Sequence, residues 1–143
     1  MNSHVIQRIE IWPVDIPITD PFVVATGARV IAQNLFMRVT LHDGTQGIGE
    51  AAPFPEVGGE DRASCLTAAR QLASSMVGQS AAAYELLADC LNEQAPLFPA
   101  ARCGLETALL DAYCRTQGLP LWQLWGQADV REHSRRRRRH RAT

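Results

Sequence analysis

Residues 34–51, NLFMRVTLHDGTQGIGEA, decide the architecture. Leu35, Met37, Val39 and Leu41 fall on one face of an extended chain, while Arg38, Thr40 and His42 fall on the other, the period of a half-buried strand. Asp43-Gly44 is a strong tight-turn signal, so TQGIGEA returns as the antiparallel partner. Upstream, Trp12, Val14, Ile16 and Ile18 also alternate. Pro13 and Pro17, which cannot donate to a ladder, place that segment at a sheet edge or a bulge. The three together predict an antiparallel meander with one buried face. Between the first two strands, Thr19–Gln33 carries Pro21 and Gly27 and is expected to be a long, mobile hairpin loop. A second Pro/Gly-rich loop, Ala51–Asp61, follows the third strand.

Downstream the apolar period becomes helical. Asp61 is positioned to cap a helix bearing Leu66, Ala69, Leu72, Ala73 and Met76, which Gly78 stops. Ser80 can cap a second helix holding Leu86, Leu87, Cys90 and Leu91. A third helix starts near Pro99, carries the stripe Ala101, Leu105, Ala108 and Ala112, and ends before Gly118 and Pro120. A final turn, PLWQLWG, is expected to bury Leu121 and Trp122. Strands first and helices after is the α+β pattern: a three-stranded antiparallel β-meander followed by a three- to four-helix subdomain packed on one sheet face.

The 143 residues amount to one domain's worth of chain, and an apolar content of 46% suits a packed core rather than disorder. The net charge of -1 averages two unlike regions. Residues 1–130 hold seven Arg against fourteen acidic groups, whereas 131–143 hold seven Arg against one Glu. There is no lysine, the side chain most readily tuned into a base for carbon acids. Cys65, Cys90, Cys103 and Cys114 form no CxxC pair and sit in helical surroundings. They are expected to be reduced and mostly buried in a cytoplasmic protein, with Cys103 and Cys114 sharing a helix face. No signal peptide and no membrane span are read in the chain.

Few residues are arranged for chemistry. His4 and His42 lack partners at metal-ligand spacing, so no metal site is assigned. GIGEA resembles half of a glycine fingerprint but follows a hairpin rather than opening a βαβ helix, which makes it a poor phosphate loop. Glu50, at a strand end, is either an acid or base or a structural carboxylate accepting from loop backbone or an arginine. The two Pro/Gly loops are the best functional candidates, since long loops projecting from one sheet commonly serve as lids.

HDGTQGIGEAAPFPEVGGED followed by ARCGLETALLDAYCRTQGLPLWQLWG resembles the N-terminal capping domain of the mandelate racemase/muconate lactonizing enzyme group of the enolase superfamily. PFVVATGARVIAQNLFMRV further resembles the dipeptide epimerase branch. The likeness covers residues 4–128 and rests on two paired motifs, G-x-G-E-A-x-P and A-L-L-D-A-x-x-x-x-x-G-x-P-L, which contain Gly47, Gly49, Glu50 and Asp111 as structural positions. The resemblance implies a division of labour. A following β/α barrel supplies three carboxylates for magnesium and the Lys or His bases that remove and return an α-proton. The capping domain supplies two loops that close over the barrel mouth and select the substrate side chain. On this chain those are Thr19–Gln33 and Ala51–Asp61, with Pro21, Phe22, Thr26, Gly27, Arg29, Phe54 and Pro55 nearest the substrate. Arg29 is either a surface arginine or the partner of an acidic dipeptide. The resemblance also implies that some relatives that take glutamate dipeptides carry a basic residue where Gly27 falls, which argues against that specificity.

A β/α barrel takes about 250 residues, so the resemblance implies that catalytic residues, metal ligands and bound cofactor all belong to a barrel this chain lacks. Residues 1–128 are then a capping domain without turnover of its own, with the barrel as its partner and dipeptides as substrates of the complete enzyme. Related capping domains of o-succinylbenzoate synthases or muconate cycloisomerases share the motifs and remain alternatives. The Arg-rich segment 129–143 is expected to be a disordered, non-native extension from a frameshift or truncation. Its alternative is an arm that attracts nucleic acid through charge. Apolar surface left by a missing barrel also allows self-association.

Overall fold

A computed structural model describes residues 4–24 and 27–126. The period-two pattern around the Asp43-Gly44 turn becomes β2 (Gly27–Leu41) and β3 (Gln46–Ala51), and β1 (Ile6–Val24) completes an antiparallel sheet in the order β1-β2-β3. At the turn, the Leu41 amide donates to the Thr45 carbonyl (2.9 Å) and the Asp43 carboxylate accepts from the Thr45 amide (2.8 Å). Gly44 takes φ +85°, a left-handed conformation that an L side chain adopts only with strain. One sheet face carries Leu35, Met37, Val39 and Leu41, all fully buried, with Ile9 and Ile11 from β1 packed beside them.

Four helices follow among the described residues: α1 (Pro55–Gly58), α2 (Arg62–Met76), α3 (Tyr84–Gln94) and α4 (Pro99–Thr116), with 3-10 turns at 81–83 and 121–125. α2 lies on β1 and β2, α4 on β3 and β2, and α3 packs on both of those helices. The core is the union of their inward stripes: Cys65, Ala69, Leu72 and Met76 from α2, Leu87 and Leu91 from α3, Ala101, Leu105, Ala108 and Ala112 from α4. This is the α+β architecture that the sequence patterning predicts.

Asp61 caps α2 as expected, accepting from the Ser64 amide at 2.7 Å. That backbone hydrogen bond holds the Asp61 carboxyl below its ordinary value of 3.8. A depressed folded pKa means the cap contributes above the unfolded pKa and is lost as pH falls through the folded one. Thermal melts at about pH 6 and about pH 3 should therefore show an acid loss that Asp61→Asn, a cap that does not titrate, diminishes. An equal acid loss in both proteins would contradict this role.

Several expectations are corrected. Thr19–Gln33 is not a loop: β1 runs on to Val24 and β2 begins at Gly27, with Phe22 opposite Arg29 and Val24 opposite Gly27. The β-branched residues Val23, Val24, Val30 and Ile31 favour extended backbone, and the prolines are tolerated because β1 is an edge strand. A register shift between Pro17 and Phe22 absorbs the extra residues of β1. The second loop contains the short helix α1. Leu86, placed on an inward stripe by its spacing, is 64% exposed because α3 meets the core along a narrower face than the periodicity suggests. Leu121 and Trp122 are only half-buried, since the 3-10 turn lies beyond the sheet against the end of α4. Of the thiols, all free, Cys65 and Cys114 are buried, but Cys90 is half-buried and Cys103 exposed. Cys103 and Cys114 share an angular position on α4 yet differ in burial, Cys103 being exposed and Cys114 buried. No helix among the described residues is long and apolar enough to cross a membrane.

Candidate functional site

The last rung between β2 and β3 pairs Leu35 with Ala51. Beyond it β1 and β2 continue alone as a two-stranded ribbon to Val24 and Gly27. Because β3 leaves the sheet at Ala51, the 51–61 segment starts at the base of that ribbon. Strand register alone thus brings both candidate lid segments to one end of the sheet.

Side chains fix this arrangement from two sides. On the face away from the helices, the Asn34 side-chain amide at the ribbon base donates to the Glu50 carboxylate at 2.5 Å. The partner of Glu50 here is an asparagine rather than loop backbone or an arginine. On the other side, Arg62, the first residue of α2, forms an ion pair with Asp15 of β1. The exit of the 51–61 segment is therefore linked directly to the ribbon.

Sequence reasoning missed Glu60. It is 2% exposed, and its carboxylate accepts from the amides of Ala100 (2.7 Å) and Ala101 (3.4 Å) in the first turn of α4. That helix begins at Phe98-Pro99, where a phenylalanine at the cap position has no oxygen to offer. Its orphan amides need a remote acceptor, and that need was the available signal. Burial, reinforced by the adjacent Glu60 carboxylate, pushes the Cys65 thiol up to about 12, so this cysteine is an inert packing group.

The glycines of GIGEA serve packing. A Cβ on Gly47 would lie 2.2 Å from the Ala108 carbonyl oxygen and the Ala112 amide nitrogen. One on Gly49 would lie 2.0 Å from the Gly104 carbonyl oxygen. The α4 backbone therefore rests directly on β3. Asp111 completes the contact: one carboxylate oxygen accepts from the Ile48 amide (2.9 Å) on the free edge of β3, and the other from Arg115 (3.0 Å).

Among the residues anticipated near a substrate, Gly27 sits at the ribbon tip and Pro55 opens α1, with half-buried Phe54 just before it. Thr26 lies outside the described residues, as do the side chains of Pro21, Phe22 and Arg29; residues 127–143, with the Arg-rich segment, also lie outside them. The described apolar surface at this end comprises Val23, Val30, Ile31 and Val57, the last 81% exposed. No group of three His, Cys, Asp or Glu among the described residues could hold a metal ion. These residues do not fit the magnesium implied by the resemblance. What the arrangement can do is cover a ligand, exclude water and select by shape.

The model of the mandelate racemase / muconate lactonizing enzyme N-terminal domain matches residues 6–126. An aromatic dipeptide epimerase from Herpetosiphon aurantiacus is 41% identical over 121 residues, spanning 85% of this chain and 34% of that protein. The solved structure of a mandelate racemase/muconate lactonizing enzyme from Sorangium cellulosum is 42% identical with a TM-score of 0.77, covering 85% of this chain and 34% of its own. A dipeptide epimerase from Methylococcus capsulatus, solved with Mg and the dipeptide L-Arg-D-Lys, is 29% identical with a TM-score of 0.81, covering 96% of this chain and 43% of its own. The chain thus spans about a third of the length of the curated relatives it matches. With a meander, a helical layer and a glycine-bedded α4 that agree with this match from Ile6 to Gly126, the chain belongs to the mandelate racemase / muconate lactonizing enzyme N-terminal domain family.

Proposed function

We propose that residues 1–128 are the capping and substrate-selecting domain of a dipeptide epimerase, and that residues 129–143 are no part of that domain. One observation carries the proposal: the Leu35–Ala51 rung sets the ribbon and the 51–61 segment at one end of the sheet, where together they can close over a reaction centre. Removal and return of the α-proton belong to a barrel acting beneath this lid. The present residues, without lysine and without a fitting metal cluster among those described, exchange no α-proton on their own.

The lid's contribution is desolvation and selection. Val57 and one face of the ribbon, either Val23 and Val30 or the opposite face bearing Ile31, offer apolar surface to a substrate side chain, and Gly27 offers no cation for an acidic one. An apolar contact of this kind discriminates by about 1–3 kcal/mol per methylene-sized difference. The favoured substrates are therefore dipeptides with aliphatic or aromatic side chains, consistent with the similarity to the Herpetosiphon aromatic dipeptide epimerase.

Replacing the corresponding capping segment of that epimerase with residues 6–126 of this chain tests the assignment. The graft should epimerise L-Ala-L-Phe or L-Ala-L-Leu at least about tenfold faster, by kcat/KM, than L-Ala-L-Glu. A soluble, folded graft that is inactive on every dipeptide, or that prefers the glutamate dipeptide, would refute it.

A further inference from the structure

Pro13 lies opposite Leu35 in the ladder although it has no amide hydrogen to donate, so that pair is of the non-hydrogen-bonded kind. Ile11 and Ile9 precede it by two and four residues with no register shift between them. Their amides and carbonyls therefore point away from β2, towards the free edge of the sheet. Before them that edge is covered: the Ile6 amide donates to the Gln79 carbonyl (2.8 Å) and the Ile6 carbonyl accepts from the Gly78 amide (2.9 Å). Beyond them Pro13 ends the run of donors. A second copy's β1, 19 residues long, would run into the 78–81 segment, so the opening suits a short strand.

The side chains beneath this opening form a groove of about 280 Å³, lined by Ile9, Ile11, Arg70, Ala73, Ser74 and Val77. Its floor is apolar and Arg70 is its only charge. Arg8 and Arg38 pair with Glu10, Arg62 with Asp15 and Arg115 with Asp111, and Arg102 donates to Asn92. Arg70 meets no acidic group among the described residues. The α2 helix runs antiparallel to β1, from Arg62 beside Asp15 to Gly78, just past its end, beside Ile6. That direction sets Arg70 towards Ile11 and Val77 towards Ile9.

We propose that this groove docks an extended acidic peptide segment, which adds to β1 as a short antiparallel strand. Its main chain pairs with Ile9 and Ile11, a carboxylate opposite Ile11 meets Arg70, and an aliphatic side chain two residues later covers Val77. The free main-chain groups of β1 supply affinity, and the unpaired guanidinium selects the acidic partner.

Amide NMR on the 143-residue chain tests this with the capped peptide acetyl-Thr-Glu-Thr-Val-Thr-amide, at about 0.15 M salt to screen the arginine-rich segment. Saturable shifts at Ile9, Ile11 and Val77 are expected, with a dissociation constant below about 1 mM. Solvent exchange at the Ile9 and Ile11 amides should slow about tenfold once the peptide stands at about ten times that constant. Arg70→Glu, a change at an exposed position, should weaken this peptide at least about threefold and favour the peptide with Lys in place of Glu. Absence of shifts at the groove up to about 5 mM peptide, shifts confined to 131–143, or binding that Arg70→Glu leaves unchanged would each overturn the proposal. So would exchange at Ile9 and Ile11 that slows with rising protein concentration alone, because a second copy would then be the occupant.

Discussion

Gly49→Ala should lower the free energy of unfolding by about 3 kcal/mol, the upper part of the range for overpacking a tight interior contact. The added methyl would stand 2.0 Å from the Gly104 carbonyl oxygen and 2.7 Å from the Ala108 amide nitrogen. Both obstacles are backbone atoms of α4, so no rotamer change relieves the clash. The whole helix must move away from β3, and it cannot do so without disturbing Leu105 and the Asp111–Ile48 hydrogen bond beside it. For a chain of this size the cost corresponds to a fall in melting temperature of about 10 °C. The natural control is Gly58→Ala, where nothing lies within 4 Å of the new methyl and φ is not in the left-handed region. That change should be neutral or slightly stabilising, by up to about 1 kcal/mol, because it restricts the unfolded chain. Chemical denaturation of both variants checks the pair, and equal effects would mean that α4 does not rest on β3 as described.

Leu105→Ala should be of similar severity for the opposite reason. Leu105 is fully buried at the centre of α4, the helix that joins β3, β2, α2 and α3. Truncation removes apolar contact and leaves a void that surrounding elements fill only in part, which costs about 2–5 kcal/mol. Leu86→Ala, at a position 64% exposed, should change stability by no more than about 0.5 kcal/mol. The comparison matters because both leucines fit a helical apolar pattern equally well on paper. A large loss at Leu86 would show that a partner or another surface covers it.

Much of the fold is legible from local rules. The Asp43-Gly44 turn and the alternation of Leu35, Met37, Val39 and Leu41 specify strand identity, register and the buried face without reference to any distant residue. Asp61, Gly78, Pro99 and Gly118 mark helix limits for equally local reasons, and the structure places those limits within a residue or two of the signals. Where local signals conflict, tertiary context settles the outcome. Proline and glycine at positions 21 and 27 suggest a loop, but the valines and isoleucines between and around them extend the hairpin because an edge strand tolerates a proline. Trp12 illustrates the same limit. Its alternation indicates a strand but not a face, and the structure stacks it on Phe36 (ring centroids 6.4 Å apart), with Arg38 5.7 Å from the ring, on the side away from the helices.

The candidate site divides along the same line. The two segments were identifiable by their proline and glycine content, and family resemblance supplied their role. That they meet at one end of the sheet follows from strand register, which sequence also carries. Glu60, Asp15 and Arg62 were not identifiable, because each gains its role from a partner between forty and forty-seven residues away.

By itself, then, the sequence determined what depends on neighbours along the chain: the period of each element, its turns and caps, and the absence of a lysine base. Only the tertiary structure decided why GIGEA needs its glycines, which leucines are buried, and which carboxylate caps α4. Those depend on how closely two backbones approach and on which orphan amides lack a local acceptor, quantities that exist only once distant segments are packed together.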